Sequence, residues 1–91
     1  MITINEETNR FALLDNGREI GEMTWYIDNA DRIVYNHTYV NPAYRGQRLG
    51  ERLVSAGVEK ARQENRKIIP ACSYVQALFE RSPKYHDVWA K

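Results

Sequence analysis

The chain has one cysteine in 91 residues. A lone thiol, Cys72, makes no internal disulfide and no cysteine cluster for zinc or iron–sulfur, so no metal site is expected. No apolar run exceeds a few residues, which leaves no candidate transmembrane helix. The first residues, Met1 to Glu6, lack a basic region followed by an apolar one, so no secretory signal is expected. An excess of either charge is missing too: 13 basic residues against 12 acidic leave +1. That balance argues against a nucleic-acid partner and against polybasic attachment to a membrane. What is present is an ordinary globular composition, 43% hydrophobic and 27% charged. It suffices for one small core and not for two. The expectation is a single cytoplasmic domain over residues 1–91, with its oligomeric state unread.

The first forty residues read as strands. Ile2–Ile4 alternates and is short, and Arg10–Leu14 is a second candidate. Asn16-Gly17 then gives a strong hairpin signal, because both residues tolerate positive φ. From Glu19 to Asp28, Met23, Trp25 and Ile27 alternate with Glu22, Thr24 and Tyr26. A turn over Asp28–Asp31 leads to a fourth strand, Arg32–Val40, rich in β-branched and aromatic residues. The period changes after Pro42. Leu49, Leu53, Val54, Gly57, Val58 and Ala61 recur at helical spacing, which predicts a long helix from about Gly46 to Glu64, with Asn65 as a left-handed stop. Lys67–Ala71 reads as a short buried strand, parallel to the fourth through a βαβ crossover. A second helix is expected over about Tyr74–Arg81, ending before Pro83. The aromatic tail, Tyr85 to Trp89, should pack back on the core. The fold class is α/β, a mainly antiparallel sheet with one long helix between strands four and five.

The segment before the long helix is unusual. Arg45 and Arg48 stand with Gly46 and Gly50 where a helix begins. A helix N-terminus is partly positive, so a cation there is unfavourable by roughly 0.3–1 kcal/mol. An anion reverses that sign: free backbone N–H groups face it, glycine permits close approach, and arginine supplies charge. The alternative is an ordinary strand-to-helix loop with exposed arginines.

Val40-x-Pro42-x-x-Arg45-Gly46-x-x-Leu49-Gly50 resembles the coenzyme-A loop of the GNAT acyltransferases, and the order of elements is similar. His37-Thr38-x-Val40, Ile69-Pro70-x-Cys72-Ser73-Tyr74 and the Phe79–Val88 ending resemble the small YjdJ-like branch of that superfamily. The resemblance implies an N-acyltransferase, most simply one moving acetyl from acetyl-CoA to an amine, small molecule or protein. It implies that the backbone of Arg45, Gly46, Gln47, Arg48, Leu49 and Gly50 holds the pyrophosphate. It also implies that the main chain of Tyr39 and Val40 pairs with the pantetheine arm. Arg48 stands where the family loop has its middle glycine. Its side chain either crowds the phosphates or turns outward to the 3′-phosphate. Phe79 stands where larger members carry a proton-donating tyrosine. These departures keep a non-catalytic CoA-binding or interaction module as the alternative.

Two residues are candidates for chemistry. Cys72 falls at the start of the second helix. A helix N-terminus lowers a thiol's pKa, so Cys72 is either an acyl-accepting nucleophile or a small hydrophobe lining the acyl pocket. His37 is the candidate general base, because an imidazole side chain exchanges protons readily near neutral pH. Strand alternation puts it on one face with Ile33, Tyr35 and Tyr39, where a hydrogen-bonded structural histidine is the other reading. Tyr74 is a further candidate proton donor.

Overall fold

The computed structural model describes residues 1–90. Strands β1 (Ile2–Glu7), β2 (Arg10–Asp15), β3 (Arg18–Ile27) and β4 (Ile33–Val40) form an antiparallel meander. A short β5 (Ile68–Pro70) pairs parallel with β4, giving one five-stranded sheet in chain order. A 3₁₀ turn (Pro42–Tyr44) and helix α1 (Leu49–Glu64) connect β4 to β5. Helix α2 (Ser73–Arg81) and a 3₁₀ segment (Pro83–Val88) follow. The expected α/β architecture and its parallel crossover are what the chain forms. The first strand runs past Ile4 to Glu7, because its ladder continues through Glu6↔Phe11 and Glu7↔Arg10. Asn16 and Gly17 both take positive φ, +50° and +84°, as the tight hairpin turn requires.

The helices cover one face of the sheet. Leu53, Val58 and Ala61 of α1 join Val75, Leu78 and Phe79 of α2 in one buried cluster with Leu13, Met23, Trp25 and Tyr35 of the strands. Gly57 sets how closely α1 approaches. The Tyr35 hydroxyl donates to the Gly57 carbonyl at 3.0 Å, and a Cβ at Gly57 would lie 2.8 Å from the Tyr35 ring. Tyr85 and Val88 are buried, and Trp89 meets Phe79 edge-on at 5.6 Å, so the aromatic tail does pack on the core. α1 ends as its sequence predicts. Asn65 adopts φ +55°, and the Arg66 N–H turns back to the Ala61 carbonyl at 2.9 Å.

One irregularity governs the site. β3 and β4 slip register, so that Thr24 faces His37 while Trp25 faces Tyr35. Asn36 is the extra residue, a β-bulge that breaks the alternation along β4. Tyr35 points to the helices, paired with buried Trp25, and beyond the bulge Thr38 does so, paired with buried Met23. His37 and Tyr39 point to the opposite, open face. The shared face expected for His37 with Ile33 and Tyr35 is therefore corrected, and only Tyr39 stays with it.

Candidate active site

The loop between β4 and α1 is built by local bonds. The Asn41 side chain accepts the Ala43 N–H at 2.9 Å, starting the 3₁₀ turn. The Tyr44 hydroxyl donates to Asp15 at 2.6 Å and ties the turn to the end of β2. That bond, with a second from the chain's amino terminus, holds the Asp15 carboxyl below its ordinary range although partial burial opposes it. Gly46 has φ +82° with open space where a Cβ would lie, so backbone conformation rather than room favours glycine there. Arg48 also adopts the left-handed conformation, φ +56°, and gives α1 no side-chain cap. The residue in the family's middle-glycine position thus keeps a glycine-like backbone, at a cost of roughly 1–2 kcal/mol.

This loop leaves polar groups unused. Among the described residues, the backbone N–H groups of Gly46 to Glu51 meet no hydrogen-bond acceptor. Arg45, Arg48 and Arg52 hold no carboxylate among the described residues, as is also true of Arg18 at the start of β3, whereas Arg10, Arg32, Arg62, Arg66 and Arg81 each hold at least one. A cleft of about 370 Å³ opens beside these groups, lined by Thr38, Val40, Arg45, Gly46, Arg48 and Gly50 among others. Tyr74 closes its other side. A Cβ on Gly50 would lie 2.6 Å from the Tyr74 hydroxyl, so this glycine lets the phenol lie over the first turn of α1.

The cleft continues along β4. β5 ends at Pro70 opposite Tyr35, so the later part of β4 has no strand on that side. The Asn41 N–H bonds the Ile20 carbonyl at 2.7 Å, which fixes the alternation of the β3–β4 ladder. Tyr39 turns its main-chain groups toward β3, and Thr38 and Val40 turn theirs to the open edge. Of the two residues expected to pair with a ligand, Val40 thus has main-chain groups free at the open edge, together with Thr38, while those of Tyr39 are directed to β3. Tyr39 is half-exposed on the far face of the sheet. An acyl chain carrying amides can add to such an edge as a further strand. Free amides, unpaired guanidinium groups and an open strand edge suit a long ligand with phosphates at one end and amides along its length. Coenzyme A has that chemistry.

Cys72 sits where that edge meets α2. It occupies the residue before the helix, and its N–H bonds the Tyr35 carbonyl at 3.1 Å. Its sulfur lies 3.7 Å from the Thr38 hydroxyl. Burial pushes the thiol's pKa up, but the amides of Val75, Tyr74 and Thr38 and the Thr38 hydroxyl outweigh it, and the net shift is downward. His37 is across the sheet. Its Nε2 lies 3.4 Å from Glu22, whose other oxygen accepts from Arg10 at 2.9 Å. The structure does not bring His37 and Cys72 together; they flank β4 from opposite faces. Phe79 is wholly buried against Tyr85 and Trp89, so its position cannot serve proton transfer. Sequence reasoning gave no role to Thr38, although it read the His37-Thr38 pair. Only the bulge reveals that Thr38 faces the thiol. Gln47 is exposed and turns toward a second cleft. No group of three or more possible metal ligands occurs among the described residues.

Comparison with known proteins agrees with this geometry. Residues 10–88 match the family model of the GCN5-related N-acetyltransferases. The chain belongs to that family, and it is an acetyltransferase. The solution structure of a GCN5-like candidate N-acetyltransferase from Staphylococcus aureus shares 34% identity and a TM-score of 0.78, over 97% of this chain and 87% of that one. A ribosomal-protein-alanine N-acetyltransferase from Brucella melitensis biovar Abortus 2308 superposes with a TM-score of 0.64 at 16% identity, over 90% of this chain and 61% of its own. That second likeness is one of fold. Among curated proteins, none matches. The family match does not single out the YjdJ-like branch. No helix of the described residues is long and apolar enough to cross a membrane.

Proposed function

We propose that the protein moves an acetyl group from acetyl-CoA to an amine. The observation that carries this reading is the conjunction at the start of α1: backbone amides without acceptors, arginines without carboxylates, and a free strand edge leading to a thiol. The amides of Gly46 to Gly50, with Arg45, hold the diphosphate. Thr38 and Val40 align the pantetheine arm along β4, and a free backbone N–H of that edge polarises the thioester carbonyl. The thiolate of Cys72 attacks that carbonyl. The carbon–sulfur bond to coenzyme A breaks, and its sulfur leaves as thiolate and takes a proton from Tyr74 or water. The amine then attacks the Cys72 thioester and regenerates the thiolate. The proton that the amine loses leaves through water at the open edge of β4 beyond Pro70; His37, on the other face of β4 with Glu22 beside it, is its final acceptor. A free thiol in the site fits a reducing compartment, and the reading places the enzyme in the cytoplasm.

Release of free coenzyme A from acetyl-CoA, screened over amines, polyamines and peptides, tests the activity. Binding with no acceptor-dependent release would leave a non-catalytic binder. Intact-protein mass spectrometry after acetyl-CoA tests the covalent step. An adduct on Cys72 that decays when amine is added supports it. No adduct, with near-parental turnover in Cys72→Ala, reduces Cys72 to pocket lining.

A further inference from the structure

A second cleft, about 520 Å³, lies on the other flank of the α1 N-terminus, between α1 and the corner where α2 meets the 3₁₀ segment. Arg48, Arg52, Ser55, Lys84 and Tyr85 line it. Arg48 and Arg52 have no carboxylate partner among the described residues. Lys84 has none either; its ammonium rests 5.3 Å over the Tyr85 ring. The wall's one carboxylate, Glu51, is 3.7 Å from Arg81. Three uncompensated cations thus share one concavity. Two of them stand four residues apart near a helix N-terminus, where like-charge repulsion and the helix dipole both oppose them.

Basic composition alone does not explain this. A third cleft, at the far end of α1, also carries three cations, Arg62, Arg66 and Lys67. There each is spoken for: Arg62 by Asp87 at 3.0 Å, Arg66 by Glu64 at 2.9 Å, and Lys67 by the Asp87 carbonyl at 2.6 Å. The second cleft differs in lacking such partners, and it adjoins the first cleft through Arg48, which lines both.

We infer that the second cleft takes the 3′-phosphate of coenzyme A, gripped by Arg48, Arg52 and Lys84, and makes the protein selective for thioesters that carry this group. The inference rests on the reading that coenzyme A occupies the first cleft. A ligand with its diphosphate there needs a further dianion to satisfy the second, and the 3′-phosphomonoester is that group. Arginine forks match its oxygens. Arg48 then serves as a bridge between the clefts, its side chain directed to the outer phosphate.

Calorimetric titration with coenzyme A and with 3′-dephospho-coenzyme A tests this, on the parent and on the double variant Arg52→Ala/Lys84→Ala. The parent should bind coenzyme A at least about tenfold more tightly than the dephospho form. The double variant should lose that preference, by weaker binding of coenzyme A and unchanged binding of the dephospho form. The preference should also shrink as salt rises. Equal affinity in the parent, or an undiminished preference in the folded double variant, overturns the inference while the first cleft stands. A parent that binds neither compound overturns the reading beneath it as well. Thermal denaturation establishes that the variant is folded.

Discussion

The two ends of α1 are made of similar residues and behave in opposite ways. At its C-terminus, arginines complement the helix dipole and are also paired, Arg62 to Asp87 through two bonds of 3.0 Å. The left-handed stop there is Asn65, a residue type that tolerates positive φ, and its turn closes with bonds to Ala61 and Arg62. At its N-terminus, arginines oppose the dipole and are unpaired. The left-handed residue is Arg48, a side chain that pays for that conformation and caps nothing. One end obeys every local rule for a helix terminus and the other breaks several together. Departures that coincide in space mark where a ligand completes the structure. The lesson is that charge composition does not point to a candidate site; several unpartnered cations gathered beside unbonded backbone amides do.

Experiments can break this contrast at either end. The largest effect is expected from Gly50→Trp, whose Cβ alone would fall 2.6 Å from the Tyr74 hydroxyl. Calorimetry should show no coenzyme-A binding, while circular dichroism retains the signal of a folded chain. Parental affinity in a folded variant would move the site away from α1. Arg45→Ala should weaken binding about tenfold or more, the scale of one charge-assisted bond, and should flatten its salt dependence. Arg66→Ala, at the other end, should leave affinity unchanged; an equal loss in both variants would erase the contrast.

Arg48→Gly should raise stability by about 1 kcal/mol in denaturant titrations, since relief of left-handed strain exceeds the added flexibility of the unfolded chain. Asn65→Gly, with the same φ sign at the opposite end, should gain less. A larger gain at Asn65 would show that Arg48 is not strained. The smallest effect is expected from Asp87→Asn. Its carboxyl is held below the ordinary range, chiefly by the Arg62 hydrogen bond. The stabilisation this provides is present above the unfolded carboxyl's pKa near ~3.9 and is lost as pH falls through the lower folded value. Parent and variant should therefore differ slightly in thermal midpoint near neutral pH and converge on strong acidification. Coenzyme-A affinity should not change. Iodoacetamide adds a check on the thiol: half-maximal labelling of Cys72 should fall at lower pH than for an unperturbed cysteine, as its downward shift requires.

Much of the fold was legible because its signals are local. The Asn16-Gly17 hairpin, the helical spacing of Leu49 to Ala61, the Asn65 stop and the short β5 each depend on residues close in sequence, and each formed. The crowding of arginines and glycines in the Arg45–Gly50 loop was legible for the same reason. Cys72 was correctly placed at a helix start, because β5 and α2 bracket it closely. What sequence could not give was which face each β4 residue takes. A bulge depends on how two strands divide their register, and Asn36 carries no signal of its own. That one extra residue separates His37 from Tyr35, turns Thr38 toward Cys72, and puts the two catalytic candidates on opposite sides of the strand.

The sequence by itself determined the order of elements, the Asn65 stop of α1 and the crowding of arginines before its start, since periodicity, turn chemistry and dipole rules act within a few residues. Only the tertiary structure decided which arginines stay unpaired. Pairing joins distant segments, Arg62 to Asp87, Arg66 to Asp31 and Arg10 to Glu22, and leaves Arg45, Arg48 and Arg52 facing open clefts. It also decided that Thr38 and Val40, rather than Tyr39, offer β4's free edge. Hydrogen-bond alternation is set by the neighbouring strand and not by the residues that display it.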